Sequence, residues 1–341
     1  MTDRAVPFAS RIRPGLAGRT GDLEELALDM YARGLSTRDI EAAFRDATGT
    51  SVLSRTAVSE VTARLWQEYE AFAARDLSEF AVAYLFIDGV AERLHVGLPR
   101  EAVLCAWGIT EDGQKVLLHL APGTKEDTAS CTAFFQDLKR RGLVDPLLVV
   151  TDGAPGLIRA VETCFPRALR QRCLVHRLGN LRSKAPDSLW AEIAARARGC
   201  YMAASPALAA VLRDDFVAAY ERELPAVVQC FLDDFEACIA HLRFPLRHRR
   251  VIRTTNLLER LFLEERRRTK IIPHAFGERP VLKLMYAAII RAADRWRGIQ
   301  VGEFEHRQLR AIRGELDRAH AQRVAPVITR PATPVVQRLR K

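Results

Sequence analysis

The sequence of 341 residues lacks any apolar run near the roughly 18 consecutive residues that a membrane helix needs. It also lacks an apolar stretch close to its start, because charged residues and a proline interrupt the first 13 positions, so no secretory signal is predicted. No C-x-x-C pair occurs, and the seven cysteines are odd in number and scattered. These absences argue against a membrane protein or a secreted disulfide scaffold, and they predict a cytoplasmic protein with reduced thiols.

Acidic residues are outnumbered, since 42 Asp and Glu oppose 52 Lys and Arg and leave a net charge of +10. The excess is concentrated in two stretches. Residues 167–184 contain six basic and no acidic residues, and residues 243–270 contain ten basic residues against three glutamates. A localised excess of this kind favours a polyanionic partner, most often nucleic acid, although a merely basic protein remains the alternative.

Helical periodicity dominates residues 22–69, where Ser36 and Ser54 are placed as N-caps of a second and a third helix. Two short helices, a glycine-containing turn and a further helix predict a helix-turn-helix. A plain three-helix packing unit is the alternative. The third helix would turn short polar or cationic side chains outward, within reach of base edges and phosphates: Arg55, Thr56, Ser59, Thr62 and Arg64.

The pattern changes after Asp76 to short apolar runs separated by polar turns, which predict a mixed α/β sheet. Residues 186–243 lose this pattern and predict a helical segment that interrupts the α/β unit. A strongly basic helix is expected from Thr254 to Pro273. The other predicted elements are strands at 82–87, 102–109, 116–120, 147–150 and 170–175, and helices at 127–141, 157–164 and 281–296.

Two aspartates, Asp88 and Asp152, each follow a short apolar run and precede a glycine. If the two strands are neighbours, both carboxylates emerge at one edge of the sheet, where oxygen ligands suit Mg²⁺. Glu259 would complete a site for two cations, which activate a water or a 3′-hydroxyl and stabilise the leaving oxygen of a phosphodiester. The alternatives are simple Asp-Gly turns and a surface salt bridge for Glu259.

Cys173 and His176 have the spacing of half a zinc site, but no second pair of suitable spacing lies near them. A closed zinc site is therefore the weaker interpretation. His176 is better explained as a phosphate contact or as a support of the metal site.

At these residues the sequence resembles the Mutator-type transposases of bacterial insertion sequences, a DDE transposase family. The resemblance runs from about residue 26 to about residue 296, and the order of its blocks makes it specific. The blocks are Tyr31-Ala-Arg-Gly-Leu-Ser-Thr-Arg-Asp-Ile, Tyr84-Leu-Phe-Ile-Asp-Gly, Val149-Val-Thr-Asp-Gly-Ala-Pro-Gly-Leu, Arg172-Cys-Leu-Val-His-Arg and Arg253-Thr-Thr-Asn-Leu-Leu-Glu-Arg-Leu.

The resemblance implies a ribonuclease-H-like catalytic core with a helical insertion before the last acidic residue. It implies two Mg²⁺ ions, with Mn²⁺ as a substitute, held by the triad Asp88, Asp152 and Glu259. It places Cys173 and His176 as supports of the site. The residues expected to face DNA, beside those of the third helix, are Arg38, Arg172, His176, Arg177, Arg253, Asn256, Arg260, Arg266, Arg267, Arg268 and Lys270.

The predicted organisation has three parts. These are a helix-turn-helix region at 1–75, a ribonuclease-H-like domain at 76–300 with its insertion at about 186–250, and a basic helix with a flexible tail at 301–341. The expected function is Mg²⁺-dependent cleavage and strand transfer of double-stranded DNA by a homodimer or larger oligomer, in a bacterial, nucleoid-associated setting and away from membranes. The alternatives are a domesticated, non-catalytic DNA-binding protein and a ribonuclease-H-like nuclease without strand transfer.

Overall fold

A computed structural model describes residues 20–33, 35–45, 53–92, 94–95, 99–123, 128–256, 262, 277–293 and 296–325. Within these ranges no helix has the length and apolar character needed to cross a bilayer. The predicted tail beyond residue 325 and most of the predicted basic helix after Thr254 lie outside the described residues.

Three helices precede the sheet: α1 (Thr20–Ala32), α2 (Thr37–Ala43) and α3 (Arg55–Ala74). Both predicted N-caps are present. The Ser36 side chain accepts a hydrogen bond from the Asp39 amide and Asp39 bonds back to Ser36, which forms a capping box, while the Ser54 side chain accepts from the Ala57 amide. The helices pack around a small apolar core whose members include Ala27, Ile40, Val58 and Leu65.

The sheet has five strands in the order β3-β2-β1-β4-β5. β1 pairs with β2, and β2 with β3, in antiparallel fashion, whereas β4 runs parallel to both β1 and β5. This is the ribonuclease-H-like arrangement, so the predicted fold class is confirmed. The strands are β1 (Val82–Glu92), β2 (Glu101–Thr110), β3 (Lys115–Gly123), β4 (Leu148–Thr151) and β5 (Leu169–Arg172).

The two faces of the sheet are covered by different helices. Leu85 and Ile87 of β1 point to the face covered by α4 (Thr128–Arg140) and α5 (Pro155–Cys164). Tyr84 and Phe86 point to the opposite face, because side chains alternate along a strand. That second face is covered by α3, by α12 (Glu278–Ala293) and by α13 (Glu303–Val324).

The helical segment between β5 and Thr254 has a core of its own, built around Tyr201, Phe216 and Phe231. Phe216 stacks on Phe231 with ring centroids 3.9 Å apart. Two short 3₁₀ turns lie at Asp187–Leu189 and Ala240–Arg243. The helices are α6 (Leu174–Arg182), α7 (Trp190–Tyr201), α8 (Pro206–Tyr220), α9 (Pro225–Leu232), α10 (Phe235–Ile239) and α11 (Leu246–Ile252).

Two of the predicted strand ends next to the candidate site were wrong. The strand expected over 170–175 ends at Arg172, because Leu174 already begins α6. The strand expected to end at residue 87 continues to Glu92, because β2 keeps pairing with it: Asp88 lies opposite Cys105, and Gly89 opposite Leu104. Asp88 is therefore inside a strand rather than in an Asp-Gly turn.

Candidate active site at the edge of β1 and β4

Strand register brings the two aspartates together. Phe86 of β1 pairs with Val150 of β4 in parallel register, and Asp88 and Asp152 each follow two residues later, Asp152 just beyond the end of β4. Neighbouring strands lie about 4.8 Å apart, and Asp88 lies on the face of β1 to which Phe86 points. The expectation that the strands before these aspartates are neighbours is confirmed.

The surroundings of the two carboxylates differ. Asp88 is only 5% exposed, and its Oδ1 accepts a hydrogen bond from the Gly89 amide at 3.0 Å. Asp152 is half-buried just beyond β4, and its Oδ1 accepts from the Ala154 amide at 2.9 Å. The intervening Gly153 has φ +88°, and a Cβ there would lie 2.4 Å from Arg172 Nε, so glycine is required for this turn.

The chain that leads toward Glu259 is fastened at the same edge. Cys173 donates its amide to the Thr151 carbonyl at 2.7 Å, and the Leu174 amide donates to the Arg253 carbonyl at 3.0 Å. The amide and the hydroxyl of Thr255 both donate to Cys173 Sγ, at 3.4 and 3.5 Å. Sequence reasoning missed Thr255, although the Thr-Thr-Asn run of its block contained the signal.

His176 lies within the electrostatic reach of both aspartates. Its hydrogen bond with Cys173 raises the pKa of His176 to about 9 against the opposing effect of burial, and the charges of Cys173, Asp88 and Asp152 add to the rise. For Cys173, burial acts to raise the thiol pKa, but hydrogen bonds from His176 and Thr255 outweigh it and the pKa is lowered. The predicted site therefore collects Asp88, Asp152, Cys173 and His176 in one neighbourhood.

The carboxylates of Asp88 in β1 and Asp152 just beyond β4 are oxygen ligands of the kind that Mg²⁺ prefers, and they suit a hard cation better than zinc. Within the described residues no cluster of three or more His, Cys, Asp and Glu is arranged as a metal cage. Glu259, the third expected ligand, lies outside those residues.

Arg172 and Arg177 were expected to face DNA, but in the structure they contact other parts of the protein. Their side chains are buried, and each donates to Asp233 Oδ2, at 3.2 and 3.1 Å respectively. Arg177 also donates to the Asp233 carbonyl at 2.6 Å. Arg170 binds Asp234 through both guanidinium nitrogens. These arginines join the helical segment to the sheet.

The residues of the three N-terminal helices that were expected to face DNA divide into exposed and buried ones. Thr62 was wrongly expected to face outward: it is 2% exposed, and its hydroxyl donates to the Ser59 carbonyl, because it lies beside Val61 on the inner face of α3. Arg64 is ion-paired with Glu24. The exposed residues are Arg38, Arg55, Thr56, Ser59 and Arg64.

The basic positions near Glu259 are only partly described. Arg253 is half-buried and Asn256 is exposed beside the site. The remaining predicted DNA-facing positions lie outside the described residues: Arg260, Arg266, Arg267, Arg268 and Lys270.

A ribonuclease-H-like sheet with one aspartate in its central strand β1 and another just beyond the neighbouring strand β4 defines the class of this protein. The chain belongs to the Mutator family of transposases, since the model of the family described as "Transposase, Mutator family" matches residues 2–298. The resemblance found in the sequence is thereby confirmed.

Curated relatives give the same assignment. The chain is 31% identical over 271 residues to the transposase for insertion sequence element IS6120 of Mycolicibacterium smegmatis, covering 79% of this chain and 84% of the relative. It is 30% identical over 269 residues to the transposase for insertion sequence element IS905 of Lactococcus lactis subsp. lactis, covering 79% and 68%. It is 33% identical over 206 residues to the transposase for insertion sequence element IST2 of Acidithiobacillus ferrooxidans, covering 60% and 70%.

Proposed function

We propose that this protein cleaves DNA at the ends of an insertion sequence and joins the freed 3′-hydroxyl to target DNA, with Asp88, Asp152 and Glu259 as ligands of two Mg²⁺ ions. The observation that supports the proposal is the parallel pairing of β1 with β4, since Asp88 and Asp152 each follow two residues after the paired Phe86 and Val150. Mn²⁺ would substitute for Mg²⁺, since it accepts the same oxygen ligands.

Covalent geometry supports the third ligand. Thr255 is held against Cys173 at the edge of the sheet. Glu259 follows four residues later, and a chain of four residues spans at most about 14 Å. The covalent chain therefore limits the distance between the backbones of Glu259 and Thr255 to about 14 Å. This limit is compatible with Glu259 as a ligand in a site formed by neighbouring strands.

When bound, the two cations would lower the pKa of an attacking water and stabilise the leaving oxygen. The residues of the chain do the rest. Asp88 and Asp152 supply charge from positions fixed by the sheet, and Cys173 holds the His176 side chain near both of them. Bound cations would compete with His176 for these carboxylates, so we assign His176 as a positioning group rather than a ligand.

The proposal is tested by the cleavage of a labelled duplex that carries the ends of the element, in Mg²⁺ and in EDTA. We expect Asp152→Asn to reduce cleavage by more than about a hundredfold, because losing a group that merely supports a metal ligand already costs about 10- to 100-fold. His176→Gln should fall within that smaller range. In Asp152→Asn, the amide is the same size as the carboxylate that it replaces but lacks the charge that holds a cation.

The matched control is Asp214→Asn, which removes an exposed carboxylate on α8, and it should cleave as the wild type does. Equal cleavage by Asp152→Asn and the wild type would overturn the assignment of Asp152. Cleavage without any joined product would replace the proposal with a nuclease that lacks strand transfer. Binding of the duplex without cleavage in Mg²⁺ or in Mn²⁺ would indicate the non-catalytic alternative.

A further inference from the structure

A cationic cavity lies on the face of the sheet to which Phe86 and Asp88 point. Its volume is about 340 Å³, and it is bounded by β2, by the first residue of β3 and by α11 with the segment that follows. Its charged lining consists of Lys115, Arg250 and Arg253, which we call the cavity cations. Trp107 and Asn256 also line it. None of the described residues that line it is acidic.

The cavity cations lack counter-ions in the part of the chain that the structure describes. No described carboxylate lies within ion-pair distance of Lys115, Arg250 or Arg253. A second cavity shows the ordinary arrangement. There, the basic side chains have carboxylate partners: Lys139 pairs with Asp145, Arg167 with Asp317 and Arg313 with Glu111. Uncompensated positive charge in a concave site is a feature of anion-binding surfaces.

Trp107 adds a neutral donor to the same cavity. Its ring is stacked on Phe86 with centroids 4.0 Å apart and planes 7° from parallel, and it also packs against Trp296. Trp107 is 1% exposed, and its Nε1 meets no acceptor among the described residues. The indole N–H can only donate, and buried donors in proteins are normally satisfied. A ligand rich in acceptor oxygens would satisfy it.

The strand register fixes how far this cavity is from the candidate catalytic carboxylates. Trp107 lies opposite Phe86, which precedes Asp88 by two residues on the same face of β1. Two residues of a strand span about 7 Å, and successive phosphates of one DNA strand advance by about 3.4 Å along the duplex. A phosphate in the cavity would thus lie within about two nucleotides of one at Asp88.

We propose that the cavity formed by Trp107, Lys115, Arg250, Arg253 and Asn256 is a subsite for a backbone phosphate of the DNA strand that enters the active site. The inference rests on the proposed function for the identity of the strand. Guanidinium, ammonium and amide groups are the usual partners of phosphate oxygens. Because these contacts go to the backbone, the subsite fixes the position of the strand and reads no sequence.

The test measures the binding of the full chain to a fluorescent duplex of random sequence as a function of NaCl concentration, without divalent cations. Each phosphate contact contributes about 0.9 to the slope of log Kobs against log salt. We expect Lys115→Met and Arg250→Met each to weaken binding and to reduce the slope by about 0.9. Trp107→Phe should weaken binding by about 2- to 10-fold with the slope unchanged, because a neutral hydrogen bond is lost.

Arg140→Met is the matched control. It removes an exposed arginine of α4, on the opposite side of the sheet, and Asp137 keeps its hydrogen bond from Arg141. This variant should retain the wild-type slope. Thermal unfolding of every variant, expected within a few degrees of the wild type, guards against loss of fold as the cause of weak binding.

The outcomes separate this inference from the proposed function. Wild-type slopes in both Lys115→Met and Arg250→Met would overturn the subsite, even if the wild type cleaves DNA. Reduced slopes together with the absence of any cleavage in Mg²⁺ or Mn²⁺ would leave the subsite standing and overturn the proposed function. An equal loss of slope in Arg140→Met would also overturn the subsite, because the effect would then be a general one of charge.

Discussion

Two groups of arginines on the sheet and its helical insertion differ in what they contact. Arg170, Arg172 and Arg177 join the helical insertion to the sheet, and we call them the seam arginines. Their side chains are at least four-fifths buried and bind Asp233 or Asp234. In the cavity, Arg250 is exposed, Arg253 is half-buried, and neither meets a described carboxylate. Both groups come from basic stretches that look alike in the sequence.

The difference teaches that pairing, rather than local charge density, separates a structural arginine from one available to a polyanion. Buried guanidinium groups require partners, and the seam arginines find theirs about 60 residues away along the chain. A basic side chain without a protein partner can bind a DNA phosphate, and this binding releases counter-ions from the DNA. Three measurements of unfolding test this distinction.

The largest effect is expected at the seam. Arg170→Met removes the two-pronged contact with Asp234 and leaves a carboxylate that is 14% exposed beside Arg172 alone, 3.8 Å away. Hydrogen bonds to charged groups contribute about 1.5–3 kcal/mol, so we expect the free energy of unfolding to fall by about 2–3 kcal/mol. Urea unfolding at pH 7 measures the change.

Arg213→Met is the control for this prediction. Arg213 is ion-paired with its neighbour Asp214, but that carboxylate is 70% exposed, and exposed pairs contribute little to stability. A loss in Arg170→Met no greater than the loss in Arg213→Met would contradict the view that the seam arginines hold the insertion on the sheet.

The second effect concerns His241, which lies between the two groups of arginines. Burial lowers the pKa of His241 to about 4, and the charges of Arg253 and Arg249 add to the effect. The unfolded chain takes up a proton near the ordinary histidine pKa of about 6.5, whereas the folded chain resists until about pH 4. This contribution to stability is therefore complete above pH 6.5 and is lost as the pH falls toward 4.

We expect the wild type to lose about 2 kcal/mol between pH 7 and pH 5 through His241. His241→Gln, which can keep an amide near Gln171, should shrink the measured pH dependence by about that amount. Urea unfolding at the two pH values gives the difference.

His95→Gln tests the sign of that prediction. A hydrogen bond with Glu101 raises the pKa of His95, so this exposed histidine adds stability at low pH, and removing it should widen the difference between pH 7 and pH 5. A narrowing in both variants would show that the dependence does not arise from the burial of His241 beside arginines.

Local patterns in the sequence were sufficient for much of the framework. Ser36 and Ser54 cap their helices as predicted, because capping depends on residues only three positions apart. The apolar runs before Asp88 and Asp152 form neighbouring strands, which meets the condition under which the sequence predicts that both carboxylates emerge at one edge of the sheet.

The errors arose where distant residues decide the structure. β1 continues beyond Asp88 because β2, which follows later in the chain, supplies its hydrogen bonds. Arg177 is buried because Asp233 meets it from the far end of the insertion. The importance of Trp107 and Lys115 could not be predicted, because the cavity that they share forms only when α11 packs over the sheet.

The smallest effect completes the comparison between the two groups. Arg250→Met removes an exposed charge that has no described protein partner, so the free energy of unfolding should change by no more than about 0.5 kcal/mol. The same urea titration that detects Arg170→Met measures it. A small increase in the free energy of unfolding would agree with the same view, since removing one of three neighbouring positive charges relieves repulsion. A loss near that of Arg170→Met would show that Arg250 has a structural partner, and the distinction between paired and unpaired arginines would fail at the cavity.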